Sequence, residues 1–396
     1  MKLKFLFIAL IVIGLVITGC EQQPSSPVSA DMNTSGTITK IDAKRSHGPE
    51  MLTVMTRNMY VGGSVSKVLE GASDPSQIPL LVLEIFQEII ASEIYIRVHG
   101  MADEIAATNP HMIGLQEVSL IRYQTPGDFL TGQNTPADSV ILDFLALLLD
   151  ALEQRGLHYK VAGLVQNVDV ELPMVVSEVP EFDDVRLTDF DAVLVRHDVE
   201  SFRVKTDNFK AMFAVPVNEN TVIEVKRGYV MVDVRFRGHK YRFVNTHLED
   251  PSLDPELEFL QYAQAQELVK MLDNQAHPVI MVGDFNSVAP AGITYQYLLS
   301  QRFTDVWQVN TIPDNLDGFT YGHEAGLRNP NDEFYERIDY IFLRNKVRPF
   351  RLWPVSAWVV GDEDFVFSTY GIWPSDHGGV VASFQMPKWN NPMALH

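Results

Sequence analysis

A series of short apolar segments, each running into a polar or charged residue, limits what this chain can fold into. Met51–Thr56 leads to Asn58, Met112–Gln116 to Glu117, Tyr241–Thr246 to His247, and Val279–Val282 to Asp284 and Asn286. Ile338–Leu343 carries Asp339 near its start, and Asp376-His377 precedes the last apolar stretch. Compact apolar runs of this length read as buried strands, and a polar residue at the end sits where the strand leaves the core. One such carboxylate would be a turn former or a helix cap. Recurrence along the chain, with Asn, Glu, His and Asp in turn, points to strand ends gathered around one site.

The segments between them alternate in type. Ile78 to Ala107 is long and apolar enough to be helical, and Ser139 to Gln154 reads as a second helix with Leu142, Leu145, Leu148, Leu149 and Leu152. Tyr229–Phe236 alternates, with Val230, Val232, Val234 and Phe236 on one face and Asp233 and Arg235 on the other. Gly238 then turns the chain into Tyr241–Thr246 as a hairpin. Pro255 to Leu272 places Leu257, Ala265, Leu268 and Leu272 on one side of a helix. Hairpins mixed with strand–helix alternation predict an α/β fold of two packed sheets covered by helices. No internal repeat stands out.

The first fifty residues read as an address. Lys2 and Lys4 precede an apolar run from Phe5 to Ile17. That run is shorter than the roughly twenty residues a spanning helix needs and has the layout of a signal peptide. It ends in Thr18-Gly19-Cys20, which resembles a bacterial lipobox. The resemblance implies a signal peptide over 1–19, cleavage before Cys20 and a lipid on that cysteine. Residues 20–50 are rich in Ser, Thr, Pro and Gly and read as a flexible tether with a reach of about 30 Å. The catalytic domain is expected over 51–396. The expected location is the bacterial cell envelope, exported and held at the membrane by the lipid.

Cys20 is the only cysteine, so no intrachain disulfide and no cysteine-based zinc cluster can form. The chain carries 51 acidic and 31 basic residues, a formal charge of −20. This works against general electrostatic capture of nucleic acid or anionic lipid. It leaves a phosphate substrate open, because a metal ion can supply positive charge locally.

Taken in order, Gly-Asp284-Phe-Asn286, Arg337-Ile-Asp339-Tyr and Ser-Asp376-His377-Gly resemble the endonuclease/exonuclease/phosphatase superfamily. That group includes deoxyribonucleases, AP endonucleases, bacterial sphingomyelinases and inositol-phosphate phosphatases. The resemblance covers residues 51 to 385. It implies a four-layer α/β/β/α sandwich, two packed mixed sheets with outer helices, and hydrolysis of a phosphate ester with a divalent metal, Mg²⁺ or Mn²⁺. One departure concerns Asn58 and Glu117, which are 59 residues apart, about twice the family's usual separation. The helical stretch within 61–108 fills the excess and suggests an added wall beside the site.

Cleaving a phosphodiester requires in-line attack by water, neutralisation of developing charge and a proton for the leaving oxygen. Mg²⁺ takes oxygen ligands and keeps several waters, so one or two carboxylates hold it. Glu117 is the first metal ligand by this reading, with Asn58 beside it and Asp376 in its shell. His377 titrates in the range that moves protons near neutrality. The resemblance assigns Asp339 as its partner, Asp284 to the attacking water, Asn286 to a phosphate oxygen and His247 to the phosphate or leaving group. It offers Asp189 as the acidic partner of His247, with Asp191 as the alternative, and Arg227 as a phosphate contact. His111, His197 and His277 receive no role. Tyr295, Trp307, Trp353 and Trp373 read as packing residues.

The expected function is thus a divalent-metal-dependent phosphodiesterase with a His general base. The substrate is a nucleic acid, a phospholipid or sphingolipid, or a small phosphodiester, and no obligate protein partner is implied. The alternatives are a phosphomonoesterase and a catalytically silent binding module on the same fold.

Overall fold

The computed structural model describes residues 50–387 apart from 72–73, 134, 177–180, 217–221, 253, 310–316, 346–350 and 363. The signal-peptide and lipid-anchor readings, with Cys20 and almost all of the tether, lie outside the described residues.

Two large sheets organise the chain. The first runs β15 (Trp353–Val360), β16 (Gly379–Gln385), β1 (Met51–Asn58), β2 (Met112–Gln116), β6 (Phe182–Arg196), β3 (Leu120–Gln124) and β4 (Ser139–Asp143), with β5 (Tyr159–Val175) also paired to β6. The second runs β13 (Thr304–Asp305), β14 (Asp339–Arg344), β12 (Val279–Asp284), β11 (His239–His247), β10 (Gly228–Phe236) and β7 (Glu200–Asn208). β8 (Phe213–Pro216) and β9 (Val222–Val225) form a separate hairpin. Both large sheets are mixed: β1–β2 and β11–β12 are parallel, the other pairs antiparallel.

The layers follow from strand alternation. Val230, Val232, Val234 and Phe236 of β10 face Leu52, Val54 and Val193 across the inter-sheet core, as their period-two spacing predicts. Each fully buried side chain of this kind contributes roughly 1.5–3 kcal/mol. On the outside of the first sheet lie α3 (Ile94–Thr108) and α4 (Phe144–Glu153), packed through Val98, Met101, Ile105, Phe144, Leu148 and Leu152. Outside the second lie α5 (Leu257–Met271) and α6 (Ile293–Ser300), through Ala265, Leu268, Tyr295 and Leu298. The result is the expected α/β/β/α sandwich.

Two helix readings need correction. The stretch Ile78–Ala107 is two helices, α2 (Ile78–Ala91) and α3, broken at Ser92 and Glu93. The Ser92 hydroxyl bonds back to the Ile89 carbonyl at 2.8 Å, and Glu93 takes a left-handed φ of 48°. The stretch from Ser139 starts as β4, not helix. Val140 and Leu142 pair with β3, and the Asp143 carboxylate accepts from the Ala146 amide at 2.9 Å, so the helix begins only there.

The segment between Asn58 and α3 adds α1 (Ser66–Gly71) and α2. Val82, Ile85 and Ile89 of α2 share a cluster with Leu172, Met174, Val185 and Ile121 from β5, β6 and β3. The extra helices therefore stand on the long β5–β6 hairpin. Among the described residues no helix is long and apolar enough to cross a membrane.

Candidate active site

Strand register brings the polar ends together. The parallel β11–β12 pair sets His247 opposite Asp284, and the antiparallel β12–β14 pair sets Asp284 opposite Asp339. On the facing sheet, β1–β2 sets Asn58 opposite Gln116, so Glu117 follows at the strand exit. β16 pairs antiparallel with β1 and delivers Asp376 and His377 from the preceding loop to the same end. Gly283 makes part of this register possible. Its φ is +150°, and a Cβ there would lie 1.9 Å from the Thr246 carbonyl oxygen.

A buried polar set joins the sheets beneath the site. Asn245 donates to the carbonyls of Leu115 at 2.8 Å and Ala192 at 2.9 Å, while Gln116 donates to Asn245 Oδ1 at 2.6 Å. Gly114 leaves room for that approach, since a Cβ there would meet Asn245 Oδ1 at 2.5 Å.

His377 is buried, and its Nδ1 lies 2.9 Å from Asp339 Oδ2. Its Nε2 lies 3.7 Å from Asp284 Oδ2 and 3.9 Å from Asp376 Oδ1. Thr320 donates its hydroxyl to Asp339 Oδ2 at 2.7 Å, and the other oxygen of Asp339 has no hydrogen-bond partner among the described residues. Asn58 Nδ2 bridges two carboxylates, Glu117 Oε1 at 3.0 Å and Asp284 Oδ2 at 3.1 Å. Val61 N–H donates to Glu117 Oε2 at 2.8 Å. Ser375 donates its hydroxyl to the Asn58 carbonyl at 2.9 Å, which ties the Asp376 loop to β1. Glu117, Tyr60 and Asn286 hold left-handed φ values of 53°, 58° and 49°. Backbone strain of this kind costs on the order of 1 kcal/mol each and gathers at functional sites.

The His247 side of the site differs from expectation. The ring is contacted by Arg227 Nη1 at 3.1 Å, by Asn286 Nδ2 at 3.1 Å and, less closely, by Asp284 Oδ2 at 3.6 Å. Asp189 instead accepts from Asn167 Nδ2 at 3.2 Å, and neither oxygen of buried Asp191 has a hydrogen-bond partner among the described residues. Neither aspartate bonds His247 among the described contacts, and Arg227 takes that position. Arg227 is itself paired with Glu249 at 3.1 Å. Burial, the Arg227 charge and His377 push His247 well below the usual histidine range, which favours the neutral imidazole.

The carboxylates are short of positive charge. Burial and the Asp339 charge push Asp284 up to about 8. Burial, followed by the field of Glu117, raises Asp189 to about 7, and burial chiefly raises Asp376 to about 6. Burial disfavours the charged form of His377, but Asp339, Asp376 and Asp284 outweigh it and hold the ring well above its usual range. Among the described residues the group of three His or carboxylate side chains with ligand atoms within 4.8 Å of one another is Asp284, Asp339 and His377, and the expected ligands Glu117 and Asp376 are not part of it. Oxygen-rich and under-neutralised, the site suits a hard divalent cation.

Several residues that shape the site escaped sequence reasoning: Thr320 behind Asp339, Ser375 between Asn58 and Asp376, and the buried arginines Arg57 and Arg97. Arg57 pairs with Glu104 at 2.9 Å and donates to the His377 carbonyl. The arginines carried a signal, since each is a charged residue inside an apolar pattern. Tyr321 pairs with His377 through an isolated bridge and packs its ring 4.9 Å from the imidazole.

Among solved structures the chain resembles an endonuclease/exonuclease/phosphatase from Beutenbergia cavernae at 19% identity and TM-score 0.50, covering 85% of this chain and 72% of that one. It also resembles D. rerio TDP2 complexed with a single-strand DNA product (16% identity, TM-score 0.45, 84% of this chain and 98% of that one). A third likeness is to a Bacteroides thetaiotaomicron mannosyl-6-phosphatase (17%, 0.47, 84% and 99%). At these identities the likeness concerns the fold. No curated protein matches the chain. The model of the endonuclease/exonuclease/phosphatase family matches residues 95–377, more than half of the chain, from the first turn of α3 to His377. With the strand-end carboxylates and the Asp339–His377 pair in place, the chain belongs to the endonuclease/exonuclease/phosphatase family of phosphate-ester hydrolases.

Proposed function

We propose that this chain is a Mg²⁺-dependent phosphodiesterase in which His377 is the general base for in-line attack by water. The observation that carries the reading is the hydrogen bond from His377 to Asp339 at 2.9 Å, with the opposite ring nitrogen turned toward Asp284. Asp339 fixes the tautomer and stabilises the imidazolium that forms. Asp284 positions the water. Asn286 and Arg227 face the phosphate oxygens, and neutral His247 beside them donates to the phosphate or the leaving oxygen. Glu117 and Asp376 hold the cation with Asn58 beside them, and Mn²⁺ can replace Mg²⁺ there. A bound divalent cation would supply positive charge against the phosphate and the surrounding carboxylates.

The reading extends to the rest of the chain: a signal peptide over 1–19, a lipid on Cys20, a tether over 20–50 and a catalytic domain held at the bacterial envelope. The diester reading rests on the His377 base together with a separate group, His247, for the leaving oxygen. The deciding experiment is a panel of a generic diester, single-stranded DNA, sphingomyelin and a sugar monophosphate, each with Mg²⁺ and with chelator. Metal-dependent turnover of diesters over the monoester supports the proposal. Preference for the monoester makes the chain a phosphomonoesterase, and no turnover of any makes it a binding module.

A further inference from the structure

Arg97 is buried on α3, and its contacts form an unusual set. Buried arginines are normally paired with a carboxylate. Among the described residues this one donates only to neutral oxygens. Nε reaches the Ser92 carbonyl at 2.9 Å, and Nη1 reaches the carbonyls of Met59 at 2.7 Å and Pro374 at 2.9 Å. Nη2 reaches the Tyr60 carbonyl at 2.9 Å and the Ser92 hydroxyl at 3.3 Å.

The places of these acceptors in the chain matter. Met59 directly follows Asn58. The Tyr60 amide donates to Asn58 Oδ1 at 2.9 Å, and the Val61 amide donates to Glu117. Pro374 stands two residues before Asp376. One planar fork therefore fixes the two loops that carry Asn58 and Asp376, and the first loop in turn fixes Glu117. Tyr60 and Ser92 are also the two ends of the added helical segment, so the same guanidinium closes its neck. A lysine ammonium carries three donors on a flexible stem and cannot reproduce the fork.

We infer that Arg97 is the positioning residue of the metal seat: it sets the spacing of Asn58, Glu117 and Asp376 by holding the backbone beside them, and ties the neck of the α1–α2 segment to that seat. The inference rests on the metal-site reading above. Partners behind metal ligands change affinity by about 10–100-fold when removed.

The test uses the purified chain and Mn²⁺ alone, with binding followed by calorimetry and folding by circular dichroism and thermal melting. Arg97→Met is expected to weaken Mn²⁺ binding by about 10–100-fold, and Arg97→Lys to recover part of the loss. Asp103→Asn removes the ion pair with Arg155 at 2.6 Å from the same helix and is expected to bind Mn²⁺ as the unaltered chain does. Folded Arg97 variants with unchanged Mn²⁺ affinity overturn the inference. If Arg97→Met does not fold, Arg97→Lys decides on the same criterion. Equal weakening in Asp103→Asn also overturns it, because the effect is then a general loosening of α3. Mn²⁺ binding that ignores Glu117→Gln removes the seat itself and both readings with it. Binding that depends on Glu117 but not on Arg97 removes only the role of Arg97.

Discussion

His377 and Asp339 meet at 2.9 Å although 38 residues separate them, and the aspartate oxygen that holds the imidazole also takes the Thr320 hydroxyl at 2.7 Å. The pair is expected to act as a unit. His377→Ala should lower turnover about a hundredfold or more, the size of a general acid–base contribution. Asp339→Asn should also be severe, since an amide can favour the wrong ring tautomer. The double variant should be scarcely worse than the worse single one. Turnover of the four proteins on one substrate checks this. If the two losses multiply, the residues act separately. Near-normal turnover in His377→Ala would make Asp284 the leading candidate for the base.

Metal dependence gives a second expectation. Chelation should abolish hydrolysis, and added Mg²⁺ or Mn²⁺ should restore it. Glu117→Gln keeps the side chain's shape but removes a ligand charge, so it should raise the metal concentration needed for half-maximal turnover. Full activity in excess chelator would rule the mechanism out.

A third expectation concerns stability far from the site. His111 Nδ1 accepts the Thr53 amide at 3.0 Å, and the ring lies 4.3 Å from Phe236. Burial is the main cause that lowers this histidine to about 4. A depressed histidine adds stability above its unfolded value near 6.5 and loses it as pH falls toward the folded value. The acceptor role fits this sign, because a protonated Nδ1 cannot accept. The contribution lost between pH 6.5 and 4 is up to about 3 kcal/mol. His111→Asn keeps an acceptor and does not titrate. Denaturant melts should therefore place the unaltered chain above the variant at pH 7, with the gap closing as pH drops to 4. A gap that stays constant with pH would contradict the assignment.

The anchor reading makes a fourth. Cys20→Ser should move the protein from the membrane fraction to the soluble exported fraction, because a single lipid is then missing and the described residues contain no spanning helix. A variant that still sediments with membranes after a salt wash would refute the lipid anchor.

Much of this architecture was legible in the chain. Period-two alternation in Tyr229–Phe236 places Val230, Val232, Val234 and Phe236 between the sheets because a strand has only two faces. Polar residues beside apolar runs marked Asn58, Glu117, His247, Asp284, Asp339 and His377, which the strand register gathers at one end of the two sheets. Leucine spacing was a weaker guide. It could not separate β4 from α4, because the cap at Asp143 and the pairing of β4 with β3 decide that boundary.

What the sequence determined by itself was the central strands β1, β2, β10, β11, β12 and β14 and the residue types at their ends, because both are local properties of side-chain pattern. Which end meets which was decided by register: Asp284 lies opposite both His247 and Asp339 only because β12 runs parallel to one neighbour and antiparallel to the other. The partner of His247 was decided in the same way. The resemblance pointed to Asp189, but the β5–β6 pairing sets Asp189 beside Asn167, and the β10–β11 pairing brings Arg227 to the imidazole. The position of Arg97 was decided furthest from the sequence. Its acceptors, Met59, Tyr60, Ser92 and Pro374, come from three separate stretches of chain, and only the folded backbone converges their oxygens on one guanidinium.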